Sequence, residues 1–338
     1  PSIAPHDCVG SHVFIHCRRH DNYEAREILG VVPRHAPSLN EVWLSDRDRF
    51  SYQALSHPER VTKPMAKING RWHEVSWQRA LVEIADKTRA ILNHHGGNQL
   101  AALASPSSSV EELYLLQKLL RSLGSNNIDH RVYQSDFSDG HLSVSNLTMG
   151  TAIDQIDNLD AFLLIGSDVR VEQPIISLRL NQAVQGGACA MRVDVRQHRT
   201  LFPVEHDTIK LDLVLGLASI VKALEKGAQL PELTNIDIPP MAKAIAQQLT
   251  AAENGAIFVG AIALSDTQRA LIISLAKRIA EYSGCELNIL TPGANGVGAH
   301  CAGALPDVGA AGQPVDQPGL NARQLLGDQS VKEYLLLG

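Results

Sequence analysis

At 338 residues, with 44% hydrophobic and 20% charged side chains, the chain has the length for two or three domains and the composition of an ordinary globular protein. A formal charge of −6, with Lys and Arg scattered rather than massed, excludes the basic footprint that captures nucleic acid. Apolar runs such as "AFLLIGS" and "EYLLLG" reach only about half of a bilayer crossing, so direct membrane insertion is not expected.

Residues 1–65 differ from the rest: short β-like runs ("VFIHC", "ILGVVP", "EVWLS") lie between polar, proline-containing loops, which predicts a small β-rich domain ending near "SHPERVTKPM". From Arg71 the pattern changes. "VSWQRALVEIADKTRAILNHHGG" carries apolar residues at helical spacing, with Ser76 as N-cap and a glycine pair as its stop. "QLAALASP" reads as a buried strand, and "SVEELYLLQKLLRSLGSNNID" as a helix with the capping-box pair Ser109 and Glu112. Residues 66–155 are therefore expected to form the first part of an α/β domain.

Residues 156–284 repeat the alternation. "NLDAFLLIGSD" is a strand, "PIISLRLNQAVQGG" a helix with proline in its first turn, and "ACAMRVDVR" the next strand. "GAIFVGAIAL", "SDTQRALIISLAKRIAEYSG" and "CELNILTPG" predict a further strand, helix and strand. Alternation of this kind implies parallel pairing through right-handed crossovers, hence an open doubly wound sheet. Residues 285–338 are expected to return to the first α/β domain. "SVKEYLLLG" closes the sequence with another apolar strand, from which we expect a fragment of a longer polypeptide.

The motifs that would name a chemistry are mostly missing. Neither G-x-x-x-x-G-K-[ST] nor a strand followed by G-x-G-x-x-G is present, and there is no G-x-S-x-G, H-E-x-x-H or C-x-x-C. Asp168 and Arg170 follow one strand, Asp194 and Arg196 the next, so the four either line a crevice beyond the strand ends or cap helices and solvate the sheet rim. "PGANGVGAHCAGALP" is either a close-approach loop for a flat ligand or a tightly packed connection. His198, His206 and His300 stand alone in the sequence, the pattern of surface or satisfied core histidines. No charged n-region with an apolar h-region opens the sequence, so no export is expected. The five cysteines (Cys8, Cys17, Cys189, Cys285, Cys301) make no disulfide framework and fit a reducing compartment. In "HDCVGSHVFIHC" the spacing of Cys8 and Cys17 is wider than structural zinc sites use, although His12 and His16 would share one face of a strand.

"EVWLSDRDRFSYQAL" at 41–55, taken with "HDCVGS" upstream, resembles the family of the large iron–sulfur (75 kDa, or G) subunits of respiratory complex I, NADH-quinone oxidoreductase, where the molybdopterin-oxidoreductase-like region begins. The resemblance continues through "GRWHEVSWQRAL", "EELYLLQKLLRSLGSNNID", "LDAFLLIGSDVRVEQPIISLRLNQA" and "GANGVGA", and so covers essentially the whole chain. It implies mostly parallel α/β sheets of the formate dehydrogenase/DMSO reductase type behind a small β domain. In some relatives that domain holds a [4Fe–4S] cluster on four cysteines. The resemblance sets Ala4, Asp7, Ser11 and Ser45 at those positions, with extra residues around "RRHDNYEA", so the cluster is expected to be absent. The loop where molybdoenzymes carry a metal ligand reads "HRVYQSDFSDGHLSVSN", which offers Ser135, Asp136 and Ser138 but no cysteine.

What the resemblance implies is a structural, non-catalytic piece without cofactors of its own. The parent protein would carry [2Fe–2S] and [4Fe–4S] clusters in a preceding region. Partners would be other peripheral-arm subunits, on the cytoplasmic side of the bacterial inner membrane. Two other readings stand beside it: a molybdopterin-dependent, formate dehydrogenase-like oxidoreductase binding its cofactor through Asp168, Arg170, Asp194 and Arg196, and a zinc scaffold built on Cys8, Cys17, His12 and His16.

Overall fold

Runs apolar on both faces become the middle strands of a sheet covered on both sides, and this rule organises most of the chain. A computed structural model describes residues 1–19, 26–139, 147–209, 212–225 and 233–338. Its strands, in chain order, begin with β1 (Ser2–Ile3), β2 (His12–Arg19), β3 (Arg26–Pro33), β4 (Met65–Ile68), β5 (Arg71–Glu74), β6 (Leu100–Ala104) and β7 (Ile128–Asp129). They continue with β8 (Ala161–Ile165), β9 (Cys189–Asp194), β10 (His206–Ile209), β11 (Gly255–Val259), β12 (Glu286–Ile289) and β13 (Glu333–Leu337). The backbone falls into two compact units. One is Pro1–His12, Pro33–Ser45 and Tyr133–Val297; the other is Val13–Val32, Asp46–Val132 and Gly298–Gly338.

The first unit is built on a parallel sheet of order β10-β9-β8-β11-β12. Every residue of β8 and β9 is buried, and the two faces of β8 feed different cores. Leu163 and Ile165 pack with Leu217, Ile245 and Ile279. Phe162 and Leu164 pack with Ile176, Leu180 and Phe258, and Phe162 meets Phe202 edge-on at 5.4 Å. Helices Pro174–Gln185, Leu213–Leu224, Pro240–Ala251 and Arg269–Ser283 supply the covering layers. The strand order reverses between β8 and β11, which makes the gap beyond their carboxyl ends the topological switch point.

Two apolar runs behave differently from their sequence reading. "EVWLS" is a turn: Asn40, 1% exposed, accepts the His12 N–H at 2.8 Å and donates to Trp43 O at 2.9 Å, and the run makes only the isolated bridge Ala36–Glu41. "GAIFVGAIAL" stops as a strand at Val259. Gly260 N–H then donates to Ile165 O at 3.0 Å, and Ala261–Leu264 make one helical turn, so local apolarity yields to a tertiary hydrogen bond.

The second unit holds the parallel sheet β13-β6-β7 and the antiparallel hairpin β4–β5. Asn69 and Gly70, with φ of 48° and 80°, make the hairpin's tight turn. Helix Trp77–His95 is capped by Ser76, whose side chain accepts the Arg79 N–H. Helix Val110–Ser122 carries the complete capping box of Ser109 and Glu112. Leu100, Ala102, Leu113, Leu120 and Ile128 form the core between helix and sheet. β13 finds its partner in β6, with Leu335 opposite Ala102. Among the described residues no helix is long and apolar enough to cross a membrane.

Candidate functional site

The carboxyl ends of β8, β9 and β11 are where a doubly wound sheet would take a ligand. After β8 the chain turns at Gly166 (φ 50°), and Ser167 N–H donates to Asp194 Oδ2 at 3.1 Å. Asp194 is fully buried, and its Oδ1 also accepts Val195 N–H at 2.7 Å. His198 lies between two carboxylates, with Nδ1 3.2 Å from Asp168 Oδ2 and Nε2 3.4 Å from Asp194 Oδ2. The second approach lacks hydrogen-bond geometry. Of the four expected crevice residues, the structure therefore brings Asp168 and Asp194 together through His198, whereas Arg170 and Arg196 are exposed.

Glu172, unremarked in the sequence, fills the switch point. Its Oε1 accepts Asp168 N–H at 3.0 Å, and its Oε2 accepts Ala261 N–H at 2.9 Å and Ser167 Oγ–H at 3.3 Å. Burial raises its carboxyl above the usual range, against the opposing pull of these hydrogen bonds. The loops after β8 and β11 also touch: a Cβ on Gly260 would collide with Ser167, and one on Gly166 with Ala263. Nothing in the sequence marks Glu172 beyond its place just before the helix-starting Pro174.

The N-terminal positions form a second candidate, all in the first unit. Ala4, Asp7, Ser11 and Ser45 are 1%, 2%, 0% and 7% exposed. Ala4 N–H donates to Ser11 O at 2.9 Å, and Asp7 Oδ1 accepts Val9 N–H at 3.1 Å, while Ser11 Oγ is buried without a partner. Burial and the neighbouring Asp7 carboxylate push the Cys8 thiol up to about 11, against hydrogen bonding with Thr291 and Gln173. The adjoining loop is held from the α/β layer. Arg179, 3% exposed, donates to Pro37 O at 2.8 Å and Leu39 O at 2.9 Å and pairs with Asp157 at 2.6 Å.

The zinc candidates divide between the units, with Cys8 and His12 in the first and His16 and Cys17 in the second. His16 and Cys17 are exposed and, as successive residues of β2, point to opposite sides of the strand. Among the described residues no group of three or more His, Cys, Asp or Glu is placed to hold a metal ion. The loop offered as a molybdenum-ligand region is occupied otherwise. Asp136 Oδ2 accepts Ala270 N–H at 2.9 Å, its Oδ1 accepts the Ser138 hydroxyl at 2.7 Å, and Asp139 pairs with Arg269 at 2.6 Å. Burial would raise Asp136, but the bonds from Ala270 and Ser138 and the charge of Arg269 outweigh it and hold the carboxyl low. Ser135 lies beside this cap, part-buried, and residues 140–146 of the quoted loop fall outside the described residues.

In the second unit, His130 follows β7 and is 3% exposed, with neither ring nitrogen hydrogen-bonded. Burial pushes its pKa down to about 4, and Arg131 and His300 act in the same direction, against Asp129. Asp129 itself is held by both arms of Arg131 at 2.9 Å and by Ala322 N–H at 3.0 Å.

Comparison with known proteins agrees with this architecture. Residues 60–333 match the molybdopterin oxidoreductase family, and residues 1–53 match the NADH-ubiquinone oxidoreductase NDSU1/NuoG-like, 4Fe-4S domain. The G subunit of NADH-quinone oxidoreductase from Rickettsia felis is 33% identical over 68% of this chain and 33% of its own length, so the chain spans about a third of that relative. A Staphylococcus aureus (strain USA300) protein, assigned provisionally as a formate dehydrogenase, is 33% identical over 51% of this chain and 18% of its own. Among solved structures, the formyltransferase/hydrolase complex of Methylorubrum extorquens shares the fold with a TM-score of 0.56 at 17% identity, covering 81% of this chain and 76% of that one.

Proposed function

Because the chain belongs to the molybdopterin oxidoreductase family and opens with a segment matching the NuoG-like 4Fe-4S domain, we propose that it is a structural, cluster-free part of the large subunit of NADH-quinone oxidoreductase. In this reading the parent assembly transfers electrons from NADH through [2Fe–2S] and [4Fe–4S] clusters to quinone and couples the transfer to proton movement. This chain takes no part in that current. It packs against other peripheral-arm subunits on the cytoplasmic face of the bacterial membrane.

The observation that carries the reading is the buried set Ala4, Asp7, Ser11 and Ser45. A [4Fe–4S] cluster takes a thiolate on each iron, and none of these residues supplies one, so the residues present do not fit the group. Cys8 is no substitute, since one thiol supplies at most one of the four ligands the cluster takes. The structure also supplies what would hold the loops in the cluster's place: Asn40 ties His12 to Trp43, and Arg179 ties Pro37 and Leu39 to the α/β layer.

The formate dehydrogenase-like reading draws support from the Staphylococcus relative, but the switch point does not fit a pterin dinucleotide. Glu172 already takes the Asp168 and Ala261 N–H groups that a phosphate beyond the strand ends would use, and Gly260 and Ser167 leave no gap between the two loops. The test is metal analysis and EPR of the reduced chain, with the chain's peptides sought in NADH-quinone oxidoreductase purified from the source membranes. We expect those peptides to co-purify with NADH:quinone activity, and the chain to show no stoichiometric iron. Bound molybdenum or tungsten with a pterin released on denaturation would refute the reading in favour of the molybdoenzyme.

A further inference from the structure

The loops that follow β8 and β11 are tied together by bonds in which the Glu172 side chain has no part. Gly260 N–H donates to Ile165 O at 3.0 Å and Ala263 N–H to Gly166 O at 3.1 Å, while Val171 N–H closes the turn after β8 on Asp168 O at 2.8 Å. A Cβ on Gly166 would collide with Ala263 and one on Gly260 with Ser167, so the two loops already stand at their closest approach. Three donors from these loops converge on one carboxyl group. Asp168 N–H donates to Glu172 Oε1 at 3.0 Å, and Ala261 N–H and Ser167 Oγ–H donate to its Oε2 at 2.9 and 3.3 Å. All three bonds are donated to the group, which suits an ionised carboxylate and not an amide of the same shape.

The neighbouring carboxylates face other partners. Asp168 Oδ2 lies 3.2 Å from His198 Nδ1, and Asp194 accepts the Ser167 and Val195 N–H groups at 3.1 and 2.7 Å. Their proximity disfavours a second negative charge at the three donors. We propose that the ends of β8 and β11 form a receptor for a single carboxylate and that the chain fills it with its own Glu172, so that the crevice is closed by an internal ligand and not by collapse of its walls. Because the loops are joined independently of that side chain, the donors keep their places when it is removed. The molecule that fits in its stead is a small monocarboxylate. This receptor does not depend on the assignment to NADH-quinone oxidoreductase, since both loops belong to the chain's own first unit.

Glu172→Ala deletes an acetate-sized group, and acetate is the probe. Urea unfolding of the wild type and of Glu172→Ala is followed at neutral pH in sodium chloride and in sodium acetate of matched ionic strength, together with amide exchange at Asp168 and Ala261. The substitution is expected to lower the urea midpoint and to speed exchange at both amides about tenfold. Acetate is expected to recover about half of the lost midpoint beyond any shift it gives the wild type, rising with concentration as binding to the folded state requires, and to slow both amides again. Acetamide, which sets an NH2 group against the same donors, is expected to recover nothing. An unchanged midpoint in Glu172→Ala, an equal acetate effect on wild type and variant, or recovery by acetamide or by phosphate in place of acetate overturns the proposal. Glu172→Gln covers an alanine variant that does not fold: its amide nitrogen must face the N–H of Asp168 or of Ala261, and faster exchange at that amide is expected. Unchanged protection of both amides in Glu172→Gln overturns the proposal equally.

Discussion

Acidification offers the most direct test of the buried imidazole at the end of β7. At pH 7 His130 is neutral in both folded and unfolded chains and makes no difference between them. Below its ordinary pKa of 6.5 the unfolded chain takes up a proton that the folded chain refuses until about pH 4, so proton uptake favours unfolding throughout that window. At about 1.4 kcal/mol per pKa unit the loss reaches about 3 kcal/mol at the acid end. The assay is urea unfolding of the wild type and of His130→Phe between pH 4 and pH 7. The substitution removes the titration and two buried nitrogens that lack hydrogen bonds, so it leaves no stranded polar group. The stability difference, wild type minus variant, is expected to shrink as the pH falls. A difference that stays constant across the window would refute the argument that burial holds His130 neutral.

Three other outcomes follow from particular contacts. Arg179→Ala frees Pro37 and Leu39 and leaves Asp157, itself about a third exposed, without its cation, a loss of about 1–3 kcal/mol for hydrogen bonds to a charged group, to be read by denaturant unfolding together with faster amide exchange across residues 33–45. Gly260→Ala drives a methyl group into Ser167 and is expected to cost about 1–3 kcal/mol as overpacking, measured as a lowered urea midpoint with an unchanged slope. Ser109→Ala removes the accepting half of the capping box and should cost about 1 kcal/mol, read as earlier fraying of helix Val110–Ser122 by amide exchange.

The parts of the fold legible in the sequence are those whose cause is local. "AFLLI" is apolar at every position and becomes a strand buried on both faces; Ser109 and Glu112 stand at the spacing of a capping box and form one. "EVWLS" misleads because its conformation is set by Asn40 bonding to His12, a residue far away in sequence. The sheet-end site was half legible. Asp168 and Asp194 are marked by following strands, but His198 gains its role only when two loops converge, and Glu172 only when the turn after β11 brings Ala261 N–H to it. The arginines beside the two aspartates share their spacing and yet face solvent, because spacing carries no information about which side of a loop turns inward.

The pairing of β13 with β6 sets an order of assembly. Leu100 and Glu333 are neighbours in the sheet, and nearly the whole of the first unit is synthesised between them. A nascent chain emerging from the ribosome presents β6 and β7, with their Leu113 and Leu120 helix, long before β13 exists to complete the sheet. The intervening parallel sheet is able to form during that wait, since its strands pair among themselves. The second unit must instead close by a contact of very high sequence separation, the kind that slows folding and prolongs exposure of an unpaired strand edge. Its β6 edge is therefore the point where a chaperone or a misdirected strand competes for the place that β13 finally takes.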